Sequence, residues 1–247
     1  MGKTILASIT ILFITTASWA SLPDSFTQNN VRYQTFFGEC PSKSSGMFAL
    51  LVMKEFEKDH SLKLVKEKIV SERWDEKYFL SDYRISYNPV SKSLKISLEC
   101  PNALAKVQVY KSTGEEHYSA ILGDNNKLYE PHYENLLRVE NKLNHHLPRL
   151  ALSADQLTDG PSQDLTRFIN KVSPDLRQKI SEIIISKNNE LTIVFSLAGK
   201  ATSVFMGADL WDEKITKLGK IVGYVTKNKK YPKSINLVNA KKVVVKF

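Results

Sequence analysis

Residues 180–208 read ISEIIISKNNELTIVFSLAGKATSVFMGA, three apolar runs of strand length separated by the polar turns KNNE and AGKA. Side chains alternate across a strand, so each run offers one face to a core and one to water. A sheet with an apolar face needs a second layer, and residues 210–228 supply one. Trp211, Ile215, Leu218 and Val222 fall at helical spacing there. The chain then closes on KSINLVNAKKVVVKF, which reads as a hairpin. In its last strand Val243, Val245 and Phe247 point one way, and Lys242, Val244 and Lys246 the other. This strand is expected at an uncovered edge, the alternative being a central strand already paired on both sides, and an uncovered edge is a template for another chain.

The first half has a different order. Residues 31–39, VRYQTFFGE, alternate as a strand, and PSKSSG after them is a turn or helix start. Residues 47–58 have helical apolar spacing. So do residues 62–76, where Leu62, Val65, Ile69 and Trp74 share a face. DYRISYNP and SLKISLEC follow as two strands joined by a turn. The expectation is a β-α-α-β-β domain over residues 27–110. After it, AKVQVYKS and YSAILGDNNKLYEP read as strands, YENLLRVENKL as a helix and HHLPRLALS as a loop. DQLTDGPSQ reads as a second loop, followed by a helix that Pro174 interrupts or ends. Residues 111–247 are thus expected to form a mixed β-sheet domain with packed helices. The fold class is α+β.

The N-terminus places these domains. Residues 4–22 run 19 positions without a charge behind Lys3. This is an export element, either a signal peptide ending at SWA or a membrane anchor, over residues 1–22. The expected location is a single-pass inner-membrane protein with its bulk in the periplasm, or a cleaved, soluble periplasmic one. In such a compartment Cys40 and Cys100, each followed by Pro, are a disulfide candidate; the alternative is two buried thiols.

Charge is concentrated at the other end. Residues 200–247 hold eleven Lys and no Arg against Asp209, Asp212 and Glu213, a surplus of +8 out of a whole-chain +9. A solvated protective face, an anionic membrane surface or an acidic partner would each fit. Nucleic acid does not, because specific base readers rely on Arg. The motifs of catalysis are missing too. There is no G-x-S-x-G, P-loop, H-E-x-x-H or Rossmann glycine pattern. His145 and His146 are neighbours and so diverge. Glu130, His132 and Glu134 alternate in a stretch better read as a partly buried loop. Asp209, Asp212 and Glu213 suit the first turn of a helix. No catalytic residue, metal ligand or cofactor is expected. An envelope scaffold that binds through strand edges is favoured over a hydrolase with scattered residues, which would need a pocket of convergent polar groups.

Several stretches resemble one family. SLKISLECPNA resembles the L-x-I-x-V-x-E-x-x-P-x-A run that closes the POTRA domain of the FtsQ/DivIB cell-division proteins. Here the matching residues are Leu94, Ile96, Leu98, Glu99, Pro101 and Ala103, with Glu99 one place nearer both Leu98 and Pro101. SAILGDNNKLYEP is similar to the family's LVD-x-x-G-x-V-F segment, and LPRL to its LP-x-L. Leu191, Ile193, Phe195, Gly199, Val204, Gly207, Lys217 and Leu218 follow its L-x-L-x-L-x-x-G-x-x-V-x-x-G and K-L pattern. The final INLVNAKKVVVKF resembles its closing hairpin, so the resemblance spans most of residues 40–247. The family's basic cytoplasmic tail and its LPWV step are not matched.

The resemblance implies a non-enzymatic divisome hub without cofactors. Its second domain would bind an FtsB/FtsL-like pair by strand addition to the last strand. The implied binding residues are Lys242, Val243, Val244, Val245, Lys246 and Phe247. A membrane surface is a further possible partner, and nucleic acid is not.

Overall fold

The computed structural model describes residues 31–111, 113–154, 163–186 and 188–247. The export element expected over residues 1–22 lies outside them, as does most of the DQLTDGPSQ loop. The chain is α+β, with two sheets.

The first sheet has three strands: β1 (Arg32–Phe36), β2 (Asp82–Asn88) and β3 (Ser93–Glu99). Their order is β1-β3-β2, with β1 parallel and β2 antiparallel to β3. Helices α1 (Ser42–Asp59), α2 (Leu62–Ser71) and α3 (Trp74–Lys77) connect β1 to β2. Helix α1 begins at Ser42 rather than Met47, so PSKSSG is a helix start. Ser61 caps α2, its hydroxyl accepting from the Leu64 N–H. Val65, Ile69 and Trp74 are buried together, but Arg73 in the left-handed region (φ 52°) breaks the helix between them. Phe48, Val52 and Phe56 of α1 meet them over Leu94, Ile96 and Leu98 of β3.

The second sheet has nine strands. Four come from residues before the central helices: β4 (Ala103–Tyr110), β5 (Glu116–Gly123), β6 (Leu128–Tyr129) and β7 (Arg149–Ser153). Five follow: β8 (Ile180–Ile185), β9 (Leu191–Leu197), β10 (Lys200–Gly207), β11 (Ser234–Asn236) and β12 (Val244–Lys246). The order is β12-β11-β10-β9-β8-β7-β4-β5-β6. The pairs β4–β7, β7–β8 and β10–β11 are parallel. Helices α4 (His132–Val139), α5 (Gln163–Lys171), α6 (Pro174–Arg177) and α7 (Trp211–Lys227) lie in the connections. Pro174 opens α6, where its missing N–H is no loss. Phe168 and Ile169 of α5 and Leu218 and Val222 of α7 close the core over Leu150, Ile183, Ile193 and Val204.

Two expectations need correction. Residues 149–153, read as part of a loop, are the interior strand β7. Its alternation is only five residues long beside two His and a Pro, yet Leu150 and Leu152 are buried between β4 and β8. The division at residue 110 also moves. Strand β4 belongs to the nine-stranded sheet, because Pro101 has no N–H to continue β3 and Ala105, Val107 and Val109 enter the larger core. The sheets part at residues 100–102.

The two units are docked. Phe79, fully buried and itself left-handed (φ 60°), stacks on Tyr133 at 4.9 Å and meets Tyr129 edge-on at 4.7 Å. The Tyr129 hydroxyl donates to the Leu80 carbonyl at 3.0 Å, and Tyr133 to Lys77 at 2.6 Å. Lys127 pairs with Asp75 at 2.7 Å. Burial pushes the Tyr129 phenol up to about 12 and raises Tyr133 further, so both remain donors at neutral pH. Cys40 and Cys100 form a disulfide, with Cα atoms 5.1 Å apart.

Candidate functional site: the β12 edge and its groove

The nine-stranded sheet has two ends. At one, β6 has only two residues, and α3 of the first domain sits against it. At the other, β12 pairs with β11 alone, and no described strand lies beyond it. The strand covers Val244–Lys246, shorter than the expected six residues, because Asn239 folds the chain before it. The Asn239 side chain accepts from the Lys241 N–H at 2.9 Å, and its carbonyl from the Lys242 N–H at 3.1 Å. Lys242 and Val243 thus precede the strand.

The direction of the main chain follows from the register. Leu237 donates to the Phe205 carbonyl at 2.8 Å, so Leu237 and, two residues back, Ile235 turn their main chain toward β10. Ser234 and Asn236 then turn toward β12, where they oppose Lys246 and Val244. The Lys246 carbonyl accepts from the Lys233 N–H at 2.8 Å, in agreement. Alternation leaves the N–H and C=O of Val245, and the N–H of Phe247, facing away from the sheet. Among the described residues no strand takes up these groups, the pattern of an edge strand.

Side chains give that edge a second feature. Val245 leans toward the core. With Phe247 it forms one wall of an open groove of about 790 Å³. The other wall is α7, through Ile221, Tyr224 and Val225, and Lys220 and Lys230 border it. Phe247 is 66 % and Tyr224 67 % exposed, high values for aromatic rings. Among the described residues, no acidic side chain pairs with a lysine after Lys214. The ion pairs Lys171–Asp212 and Lys214–Asp209 sit at the far, N-terminal end of α7. The groove thus has apolar walls and a cationic surround.

Of the residues singled out from the sequence, Val245 and Phe247 meet in the groove. Lys242 and Val243 are exposed just before the strand, and Val244 and Lys246 are exposed on it. The α7 residues were missed. Tyr224 lies off the helix's buried stripe, and an aromatic residue there was the available signal. Lys214 was missed as well. Its side chain is 0 % exposed, yet the ammonium donates to the Met206 carbonyl at 2.8 Å and to Asp209 at 2.7 Å. That contact holds the Asp209 carboxyl below its usual range.

The other polar clusters do not converge. His132 and Glu130 are 3.0 Å apart, while Glu134 turns to Arg138 (2.9 Å) and Lys106 (3.3 Å). Burial alone would raise the Glu134 carboxyl, but those two cations outweigh it and lower it. Burial, with Arg177 and Arg138 nearby, pushes the His145 imidazole down. Among the described residues no group of His, Cys, Asp and Glu is arranged to hold a metal, and no helix is long and apolar enough to cross a membrane. No family model matches the chain, and no curated protein does.

Proposed function

We propose that this protein is a non-enzymatic envelope scaffold that binds a partner by strand addition to β12, in a role like that of the FtsQ/DivIB division proteins. The observation that carries the reading is the outward main chain of Val245 and Phe247 beside an apolar groove. An added strand would take affinity from those main-chain groups and selectivity from side chains laid into the groove. Phe247 and Tyr224 are the anchor residues, since buried aromatic rings dominate interfaces of this kind. The lysine surround would speed association with an acidic partner and make it salt-sensitive. The resemblance supplies the expected partner, an FtsB/FtsL-like pair, and with it a membrane-anchored periplasmic placement and a POTRA-type role for the first domain.

Calorimetric titration with the extracytoplasmic parts of such a pair tests the reading. Val245→Pro removes an outward N–H and leaves the β11 pairing groups of Val244 and Lys246 in place. Binding to the native protein, weakened at least tenfold by Val245→Pro with circular dichroism unchanged, is the expected result. Equal binding by both would place the docking surface elsewhere. Failure of both to bind would point to another envelope complex.

A further inference from the structure

We propose that the Cys40–Cys100 disulfide is a redox latch that controls the docking of the first domain on the nine-stranded sheet. Three observations meet at this bond. Cys100 is the first residue of the link at residues 100–102 between the sheets, and the bond ties it back across 60 residues, enclosing nearly all of the first domain. The turn that carries Cys40 is also where the second domain takes hold. The Ser42 N–H donates to the Glu140 carboxylate at 2.8 Å, and the Lys142 ammonium donates to the Cys40 carbonyl. Finally, Cys100 borders a cleft of about 290 Å³ lined also by Asn102, Lys142, His145 and Arg177, while Cys40 is only 1 % exposed.

The chemistry is an exchange with a dithiol oxidoreductase. Its thiolate enters from the cleft and bonds to Cys100 Sγ, and the Cys40 sulfur leaves as a thiolate. The second thiol of the reductant then attacks the mixed disulfide, releasing the Cys100 thiolate and forming the reductant's own disulfide. Two electrons pass to the protein, and its two thiolates take up two protons. Losing a cross-link of this span frees the unfolded chain of a domain of about 70 residues, a size at which one core gives little margin. The second domain contains no cysteine and loses no cross-link. Reduction therefore loosens the first domain and its dock while the β12 edge persists.

Amide hydrogen exchange on the whole protein tests this, comparing the oxidised form, the form reduced with dithiothreitol without denaturant, and the reoxidised form. The expected result is exchange at least about tenfold faster over residues 31–99 and 129–143, no change over β8–β10, and recovery on reoxidation. A Cys40→Ser/Cys100→Ser variant should match the reduced form in either redox state. Three results would each overturn the latch: a bond that dithiothreitol reduces only in denaturant, reduction with unchanged exchange, or faster exchange throughout the chain.

Discussion

Lys214 illustrates what single residues do here. Its stem passes through the packed corner between β10 and α7, and its ammonium ties that corner to Met206 and Asp209. Lys214→Ala should cost about 3 kcal/mol, through the cavity left and the stranded Met206 carbonyl. Lys214→Met strands the same carbonyl but keeps most of the volume and should cost less, about 1–2 kcal/mol, since Asp209 is largely solvated and needs no partner. Urea denaturation of the two variants checks the order. A lysine in an amphipathic helix gives no sign of burial in a single sequence, so this residue was not legible. Cys40 and Cys100 were legible as a candidate pair only, since pairing depends on how the chain brings their Cα atoms within reach.

At the level of elements, long alternating runs were readable and short ones were not. β9, β10 and α7 follow directly from spacing, because each buries one clear face, while β8 was readable as an apolar run although a bulge between Ile180 and Glu182 breaks its alternation. β7 was hidden, since its reason to be a strand lies in β4 and β8, far away in sequence. The edge position of β12 was readable from the closing alternation. The groove beside it was not, because it needs α7 to cross back over β12. The β10–α7 corner that sets this crossing turns on Gly207 at φ 73°. A Cβ there would lie 3.3 Å from Val238 and adopt a disfavoured conformation. Gly207→Ala should lower stability by about 1–2 kcal/mol. A thermal melt showing no loss would mean that the corner relaxes without strain.

For the whole molecule, the dock between the two units decides which sheet edge is free. The first domain covers β6, while no described strand pairs with the outer edge of β12. Part of that dock is sensitive to acid. Burial alone would raise the Glu140 carboxyl, but the Ser42 N–H and the Lys142 ammonium outweigh it and lower it. A carboxyl lowered in the docked state contributes stability above the ordinary glutamate range and loses it as pH falls through the lowered value. Docking should therefore weaken below about pH 4, read by near-ultraviolet circular dichroism of the packed tyrosines. Glu140→Gln should flatten that dependence. The most direct test of strand addition is residue-resolved amide exchange with an FtsB/FtsL-like partner bound. The amides of Val245 and Phe247, which face outward, should slow strongly, while those of Val244 and Lys246, already turned to β11, should change little. Binding that leaves Val245 and Phe247 exchanging as in the free protein would contradict strand addition at β12.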